Sequence, residues 1–129
     1  MAVVAAGGAL GALARWGFGV LVPDGTGFPW TTFAINVTGS FLLALLPALG
    51  AVRDRPWLAV GIGTGVLGGF TTLSTYAEHG RALVYDGREL LAFGYLAGTM
   101  LACLGAVLVA HRFSTPADQH LFTDEEGNE

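Results

Sequence analysis

The stretch GGFTTLSTY at residues 68–76 decides the fold, because it places a glycine pair and four Ser/Thr hydroxyls inside an otherwise apolar segment. A glycine pair loosens a helix, and hydroxyl groups can replace backbone partners that are lost at a break. Such a segment is tolerated in a membrane only where it is buried in protein or lines a cavity. Transporters place ion sites at broken helices of this kind. The stretch therefore predicts a membrane helix broken near its middle, and function is sought here first.

The composition of the whole chain is that of an integral membrane protein. Its 129 residues are 53% hydrophobic and 12% charged, with a mean hydropathy of +0.59, which lies outside ordinary soluble composition. Four apolar stretches, each about 20 residues and so roughly 30 Å long as helix, occupy residues 2–22, 32–52, 57–76 and 90–110. The first lacks the basic start and cleavage site of a signal peptide, so we interpret it as a retained helix. The sequence predicts an all-α protein with four transmembrane helices at residues 1–112.

The end of the chain differs in composition from these spans. Residues 113–129 are polar and acidic and contribute most of the net charge of −4. Such composition favours a disordered, solvated tail. A partner-binding role for this acidic tail is the alternative.

The arginines indicate how the spans lie in the membrane. The chain has six arginines and no lysine. With four spans, Arg53, Arg55 and Arg112 fall on one side and Arg81 and Arg88 on the other. This is a weak bias under the positive-inside rule. It predicts either insertion in both orientations or a partner that fixes the assembly.

Small residues recur at helical spacing in three of the spans. They permit the close backbone approach by which helices associate in lipid. A role in bringing the backbone close to an ion is the alternative reading for part of this set, which comprises Gly7, Gly11, Gly61, Gly65, Gly69, Gly94 and Gly98.

Two polar side chains interrupt the first and second spans at similar predicted depth. Arg15 costs on the order of 3 kcal/mol or more near a bilayer centre unless it finds partners, and we expect it to bond carbonyls at helix ends. The amide of Asn36 offers two donors without a formal charge. That chemistry suits an anion that leaves water without being trapped, so Asn36 is a candidate pore residue; a hydrogen bond between helices is the alternative.

The fourth span carries a stripe of weakly polar side chains. Tyr95, Thr99 and Cys103 recur every four residues and lie along one helix face over roughly 12 Å. The stripe fits either a path for a small anion or hydrogen bonding within the bundle. Cys103 is the only cysteine, so no disulfide framework is expected, and the three histidines lack metal-ligand spacing.

Three blocks together resemble the signature blocks of the small fluoride channels of the CrcB/Fluc family. They are GGALGALARW at residues 7–16, TFAINVTGSF at 32–41 and the broken-helix stretch at 68–76. They occur in the family's order, one in each of the first three spans. The resemblance covers the whole chain apart from the acidic tail.

The resemblance implies a passive fluoride channel in the cell membrane, built as an antiparallel dimer of four-helix subunits with two pores. It implies a structural sodium ion held at the dimer centre by the backbone carbonyls of Gly68 and Thr71. Asn36 then supplies the pore amide, and Arg15 matches the family's first-helix arginine. Tyr95, Thr99 and Cys103 match its polar track, with Cys103 standing where a hydroxyl is expected. No catalysis and no nucleic-acid partner are expected.

The main departure from the family pattern lies at the paired phenylalanines whose ring edges line the pore. Leu73 and Tyr76 occupy those positions. A ring edge carries partial positive charge and can face an anion, so Tyr76 retains a ring edge and Leu73 does not. The sequence therefore resembles one subunit of a heterodimer formed with a paralogous chain.

Two other functions remain as alternatives. One is a nonconducting structural or regulatory subunit of such a heterodimer, because Leu73 lacks the ring. The other is a small multidrug transporter, which needs a membrane-embedded carboxylate for proton exchange. None of the four predicted spans contains Asp or Glu, since Glu78 and Glu89 lie just beyond their ends.

Overall fold

The computed structural model describes residues 1–113, and the regular structure of this part of the chain is entirely helical. Four helices are long and apolar enough to cross a membrane: Ala2–Leu21, Trp30–Ala48, Pro56–Tyr85 and Glu89–His111. They are called the first to fourth spans below. The prediction of an all-α protein with four transmembrane helices is confirmed. The predicted tail lies outside the described residues, apart from Phe113.

The second span ends earlier than the sequence predicted. Its regular helix is Trp30–Leu45, followed by a single 3₁₀ turn, Leu46–Ala48. Pro47 lies in this turn, and proline lacks the N–H that an α-helix needs while its ring conflicts with the preceding turn. The predicted continuation to residue 52 is therefore wrong, and Gly50–Arg53 forms a separate helical turn.

The third span is longer than predicted, because it runs to Tyr85 instead of residue 76. Hydropathy fails here because Glu78 and Arg81 follow the apolar part. Their side chains form an exposed ion pair three residues apart, with Arg81 Nη2 2.6 Å from Glu78 Oε1, so the charges face outward and the helix continues. Asp86 and Gly87 end it, with Gly87 at a φ of 71°. Glu78 thus lies inside the third span and Glu89 is the first residue of the fourth, which corrects the expectation that both carboxylates lie beyond the span ends.

The third span is broken where the sequence predicted it. Residues 56–70 run through a π-helical stretch, Gly61–Leu67, to Gly68–Phe70, and the helix resumes at Leu73–Tyr85. Thr71 and Thr72 between them are extended, with ψ values of 160° and 111°. The predicted break is confirmed at these two residues, which are called the break below.

Each half of the third span packs against a different helix. Residues 56–70 pack along the first span, and Leu73–Tyr85 packs on the fourth, which also packs along the second. The first contact depends on glycines: a Cβ at Gly7 or Gly11 would overlap the backbone of the third span. The second contact is close at Gly80, where an added Cβ would lie 2.7 Å from Leu96 Cδ2. The break therefore lies where the third span changes partners.

Candidate functional site

Thr72 begins the second half of the broken helix. Its hydroxyl oxygen accepts a hydrogen bond from the Thr75 backbone N–H at 3.1 Å and bonds the Thr75 hydroxyl at 3.0 Å. Threonine is a favoured N-cap because its side chain replaces a backbone acceptor that the first turn lacks. The hydroxyl-rich sequence therefore stabilises the break by capping, as its composition indicated.

Asn36 reaches the break from the second span. Its buried side chain donates from Nδ2 to the Thr72 carbonyl at 3.1 Å and accepts at Oδ1 from the Thr72 N–H at 2.9 Å. The amide thus pairs both the N–H and the carbonyl of Thr72. This pairing matters because an unpaired backbone group in hydrocarbon would cost several kcal/mol. One Nδ2 hydrogen remains beyond these two bonds. The hydrogen bond between helices is present, and a donor is left over for another partner.

These bonds redirect two amides that a continuous helix would use. In an α-helix the Thr72 N–H would bond the Gly68 carbonyl, and the Thr75 N–H would bond the Thr71 carbonyl. Here the Thr72 N–H bonds Asn36, and the Thr75 N–H bonds the Thr72 side chain. The carbonyls of Gly68 and Thr71 lose their usual helical partners. Oxygen donors of this kind are hard ligands that suit an alkali or alkaline-earth cation, so this pair fits the sodium site that the resemblance implies.

Arg15 also reaches the break, from the first span. Its Nε donates to the Gly69 carbonyl at 3.2 Å. In a continuous helix that carbonyl would accept from the Leu73 N–H. The expectation that Arg15 bonds carbonyls at a helix end is confirmed.

A cavity of about 310 Å³ lies beside the break, between the second, third and fourth spans. It gathers most of the residues singled out as pore candidates, and none of the described side chains lining it is charged. Its lining comprises Asn36, Gly39, Ser40, Leu43, Thr71, Thr72, Leu73, Tyr76, Thr99, Met100 and Cys103. We call it the neutral cavity.

The two positions that depart from the family pattern both line the neutral cavity. Leu73 is 79% exposed, and its aliphatic side chain presents no ring to the cavity. The Tyr76 hydroxyl donates to the Leu96 carbonyl at 2.7 Å, which fixes its ring against the fourth span. Gly39 lets the Thr71 side chain approach closely, since an added Cβ would overlap Thr71 Cγ2.

The stripe on the fourth span is divided between two environments. Thr99 and Cys103 line the neutral cavity, and the Thr99 hydroxyl donates to the Tyr95 carbonyl at 2.6 Å. Tyr95 is fully buried, with its ring 5.3 Å from that of Tyr76 and 5.4 Å from that of Phe28. Two residues of the stripe, Thr99 and Cys103, therefore line the neutral cavity, and the third, Tyr95, is buried in the core.

A second cavity, of about 540 Å³, lies on the other side of the break. Three of its side chains bear ionisable groups, Arg15, Asp24 and His79, so we call it the charged cavity. Thr72 lines both cavities, and the break is thus the partition between them.

Sequence reasoning missed Asp24, which anchors the start of the second span. Its carboxylate accepts from the backbone N–H groups of Thr31 at 2.7 Å and Thr32 at 3.0 Å, and from the Thr32 hydroxyl at 2.7 Å. A carboxylate at a helix N-terminus satisfies free amides and the helix dipole. Asp24 lies outside every apolar stretch and too far from Thr32 in sequence for an ordinary capping motif, so no pattern identified it.

Comparison with known proteins gives consistent results. The family model described as "CrcB-like protein, Camphor Resistance (CrcB)" matches residues 2–111. A Streptomyces coelicolor protein named fluoride-specific ion channel FluC 1 is 47% identical over 117 residues, covering 85% of this chain and 73% of the relative. A Nocardia farcinica protein named fluoride-specific ion channel FluC 2 is 43% identical, covering 88% and 86%. A Thermus thermophilus protein named fluoride-specific ion channel FluC is 45% identical, covering 80% and 89%.

Proposed function

The chain belongs to the CrcB-like family, and on this premise we propose that it is a subunit of a fluoride-specific ion channel. It exports fluoride passively across the plasma membrane and so lowers the toxicity of the ion. It is a multi-pass membrane protein with no catalytic step. The observation that carries the proposal is the neutral cavity at the break of the third span.

The chemistry of the neutral cavity suits a small dehydrated anion. Burying an ion without compensating donors is expensive, while a fixed opposite charge would hold it too tightly for conduction. The cavity offers the remaining Nδ2 hydrogen of Asn36 and the hydroxyl of Ser40 as neutral donors, while the Thr99 hydroxyl would have to leave the Tyr95 carbonyl to donate to an ion. These side chains support a relay in which fluoride exchanges one neutral partner for the next.

The proposed route crosses the partition between the two cavities. An ion entering the charged cavity meets Arg15, whose positive charge attracts anions. It then passes Thr72 and Asn36 into the neutral cavity and continues along Thr99 and Cys103. Tyr76 lines this route, and the buried ring of Tyr95 packs against the ring of Tyr76.

The proposed assembly is an antiparallel dimer with a sodium ion at its centre. The carbonyls of Gly68 and Thr71 would hold the ion, and the redirected amides of Thr72 and Thr75 support this assignment. When bound, the cation supplies charge that satisfies carbonyls which the break has freed. The near balance of arginines on the two sides supports insertion in opposite orientations.

One observation favours a second candidate, a nonconducting or weakly conducting subunit that pairs with a paralogue. Leu73 stands on the wall of the neutral cavity and offers no ring edge to an anion. A multidrug transporter is not favoured, because Glu78 is exposed and paired with Arg81 and Glu89 is exposed at the start of the fourth span.

Fluoride efflux from liposomes containing the purified chain tests the proposal. We expect efflux measured with a fluoride electrode to exceed that of protein-free liposomes, and chloride efflux to stay at the protein-free level. The Leu73→Phe variant is measured beside the wild type, since it restores one ring to the cavity wall. Absence of fluoride efflux from both proteins would overturn the channel assignment. Efflux from the Leu73→Phe protein but not from the wild type would favour the second candidate, a nonconducting or weakly conducting subunit.

A further inference from the structure

Three polar side chains meet at the edge of the charged cavity, and two of them leave buried atoms unpaired. His79 Nδ1 and Tyr95 Oη are buried and have no hydrogen-bond partner within residues 1–113. The His79 and Tyr95 rings are 6.3 Å apart. His79 Nδ1 lies 3.8 Å from Asp24 Oδ2, and the side chains of His79 and Asp24 are 30% and 10% exposed. A buried nitrogen so close to a carboxylate, yet not bonded to it, is a place where a proton would change the contact.

The charged and titratable groups around His79 come from several elements. Asp24 belongs to the loop before the second span, Arg15 to the first span and Tyr95 to the fourth. The second span lines the charged cavity with Thr31, Thr32 and Ile35, none of which is charged or titratable. On the helix of His79 itself, Glu78 and Arg81 pair with each other at an exposed position.

We infer that His79 and Asp24 form a proton-binding site that sets the anion conductance of this channel, with conductance rising when His79 is protonated. This inference rests on the proposed function, since it concerns entry of fluoride into the same path. With neutral His79, the Asp24 carboxylate offsets the charge of Arg15 in the charged cavity. A proton on His79 pairs with Asp24 and leaves the cavity with a net positive charge.

The position of the charged cavity explains why a proton on His79 would change anion conductance. The charged cavity adjoins the neutral cavity at the break, because Thr72 lines both. Unit charges a few Å apart in a partly buried site interact far more strongly than in water.

Fluoride current across planar bilayers tests the inference, because neutral hydrogen fluoride carries no current. The wild type and its Leu73→Phe variant are recorded at about pH 7.5 and pH 5.5, values that bracket histidine titration. We expect the current at the lower pH to be larger by about threefold or more. The ratio of the two currents is the measured quantity, so differences in the amount of inserted protein cancel.

Substitutions at His79 separate its charge from its packing. His79→Gln removes the titration and should give a ratio near one with low current at both pH values. His79→Arg carries a permanent charge and should give a ratio near one with high current at both. Asp24→Asn removes the charge partner and should raise the current at pH 7.5. His111→Gln is the matched control, because His111 ends the fourth span, roughly 24 Å along the helix from Tyr95, and should keep the wild-type ratio.

Each result decides the inference. A ratio near one in the wild type, a current that falls on acidification, or an unchanged ratio in His79→Gln would overturn it while leaving the channel assignment intact. Absence of fluoride current from both the wild type and Leu73→Phe at either pH would overturn the channel assignment, and the inference with it.

Discussion

Asn36 is the residue on which the structure of the break and the proposed conduction path depend together. Its amide bonds both backbone groups of Thr72, and its remaining hydrogen is available to the neutral cavity. The sequence presented the pore role and the interhelical bond as alternatives. An amide has two donors and an acceptor with two lone pairs, so one side chain has the capacity for both the observed interhelical bond and the proposed pore role, which spacing alone does not reveal.

Replacing Asn36 by Asp should abolish fluoride efflux while the protein stays folded. A carboxylate accepts from the Thr72 N–H, but it donates nothing to the Thr72 carbonyl and places a negative charge in the anion path, where repulsion is little screened. We expect efflux from liposomes to fall by about 100-fold or more, which corresponds to an increase in the barrier of about 2.7 kcal/mol.

The matched variant Asn36→Leu separates the two roles of this residue. It has similar volume and no charge, but it leaves both backbone groups of Thr72 without their partner, so its thermal stability in detergent should be lower than that of Asn36→Asp. Wild-type efflux from Asn36→Asp would show that Asn36 does not touch the path.

At the scale of elements, the break and the glycine contacts between the first and third spans were accessible to sequence reasoning. The helix ends were less so, and within residues 1–113 a Cβ added at Gly94 or Gly98 of the fourth span would meet no atom within 4 Å. Local composition sets a break, because the glycine pair and the capping threonines act within a few residues. The end of the third span depends on the Glu78–Arg81 pair facing outward, and the start of the second on Asp24 folding back onto it. Both are set by tertiary placement, which hydropathy does not register.

Close packing of the first span on the third makes a prediction about stability. A Cβ at Gly11 would overlap the Val66 carbonyl and lie 2.8 Å from the Phe70 backbone nitrogen. Gly11→Ala should therefore lower the free energy of unfolding by about 1–3 kcal/mol, measured as a lower thermal midpoint in detergent. Gly17→Ala is the control, because no atom of residues 1–113 lies within 4 Å of its added Cβ. Equal midpoints for the two variants would show that the spans do not pack as described.

At the scale of the whole molecule, the freed carbonyls of Gly68 and Thr71 predict dependence on sodium. An ion that binds only the assembled dimer stabilises it by about 2.7 kcal/mol at a concentration 100 times its dissociation constant. The thermal midpoint of the dimer, followed by size-exclusion chromatography after heating, should rise with sodium concentration at constant ionic strength. N-methyl-D-glucamine, a cation too bulky for a carbonyl site, serves as the replacement ion. A midpoint independent of sodium would contradict the site.

The last prediction concerns how many kinds of chain the channel needs. In a homodimer each pore lacks the ring edge at position 73, and dehydrated fluoride loses a favourable contact there. The lone chain should therefore transport fluoride more slowly than the same chain reconstituted with a family member that carries both phenylalanines. The partner's rings would complete at least one path, and fixed opposite orientations would remove the ambiguity left by the weak arginine bias.

Leu73→Phe tests the same idea within one chain. Leu73 is largely exposed on the cavity wall, so a larger ring meets little packing there, and the variant should raise efflux per dimer by about tenfold, or about 1.4 kcal/mol of barrier. Leu73→Met, unbranched and without a ring, is the matched control and should leave efflux low. Rapid efflux from the lone wild-type chain, equal to that of Leu73→Phe and of the mixed preparation, would show that the ring is dispensable and that no paralogue is required.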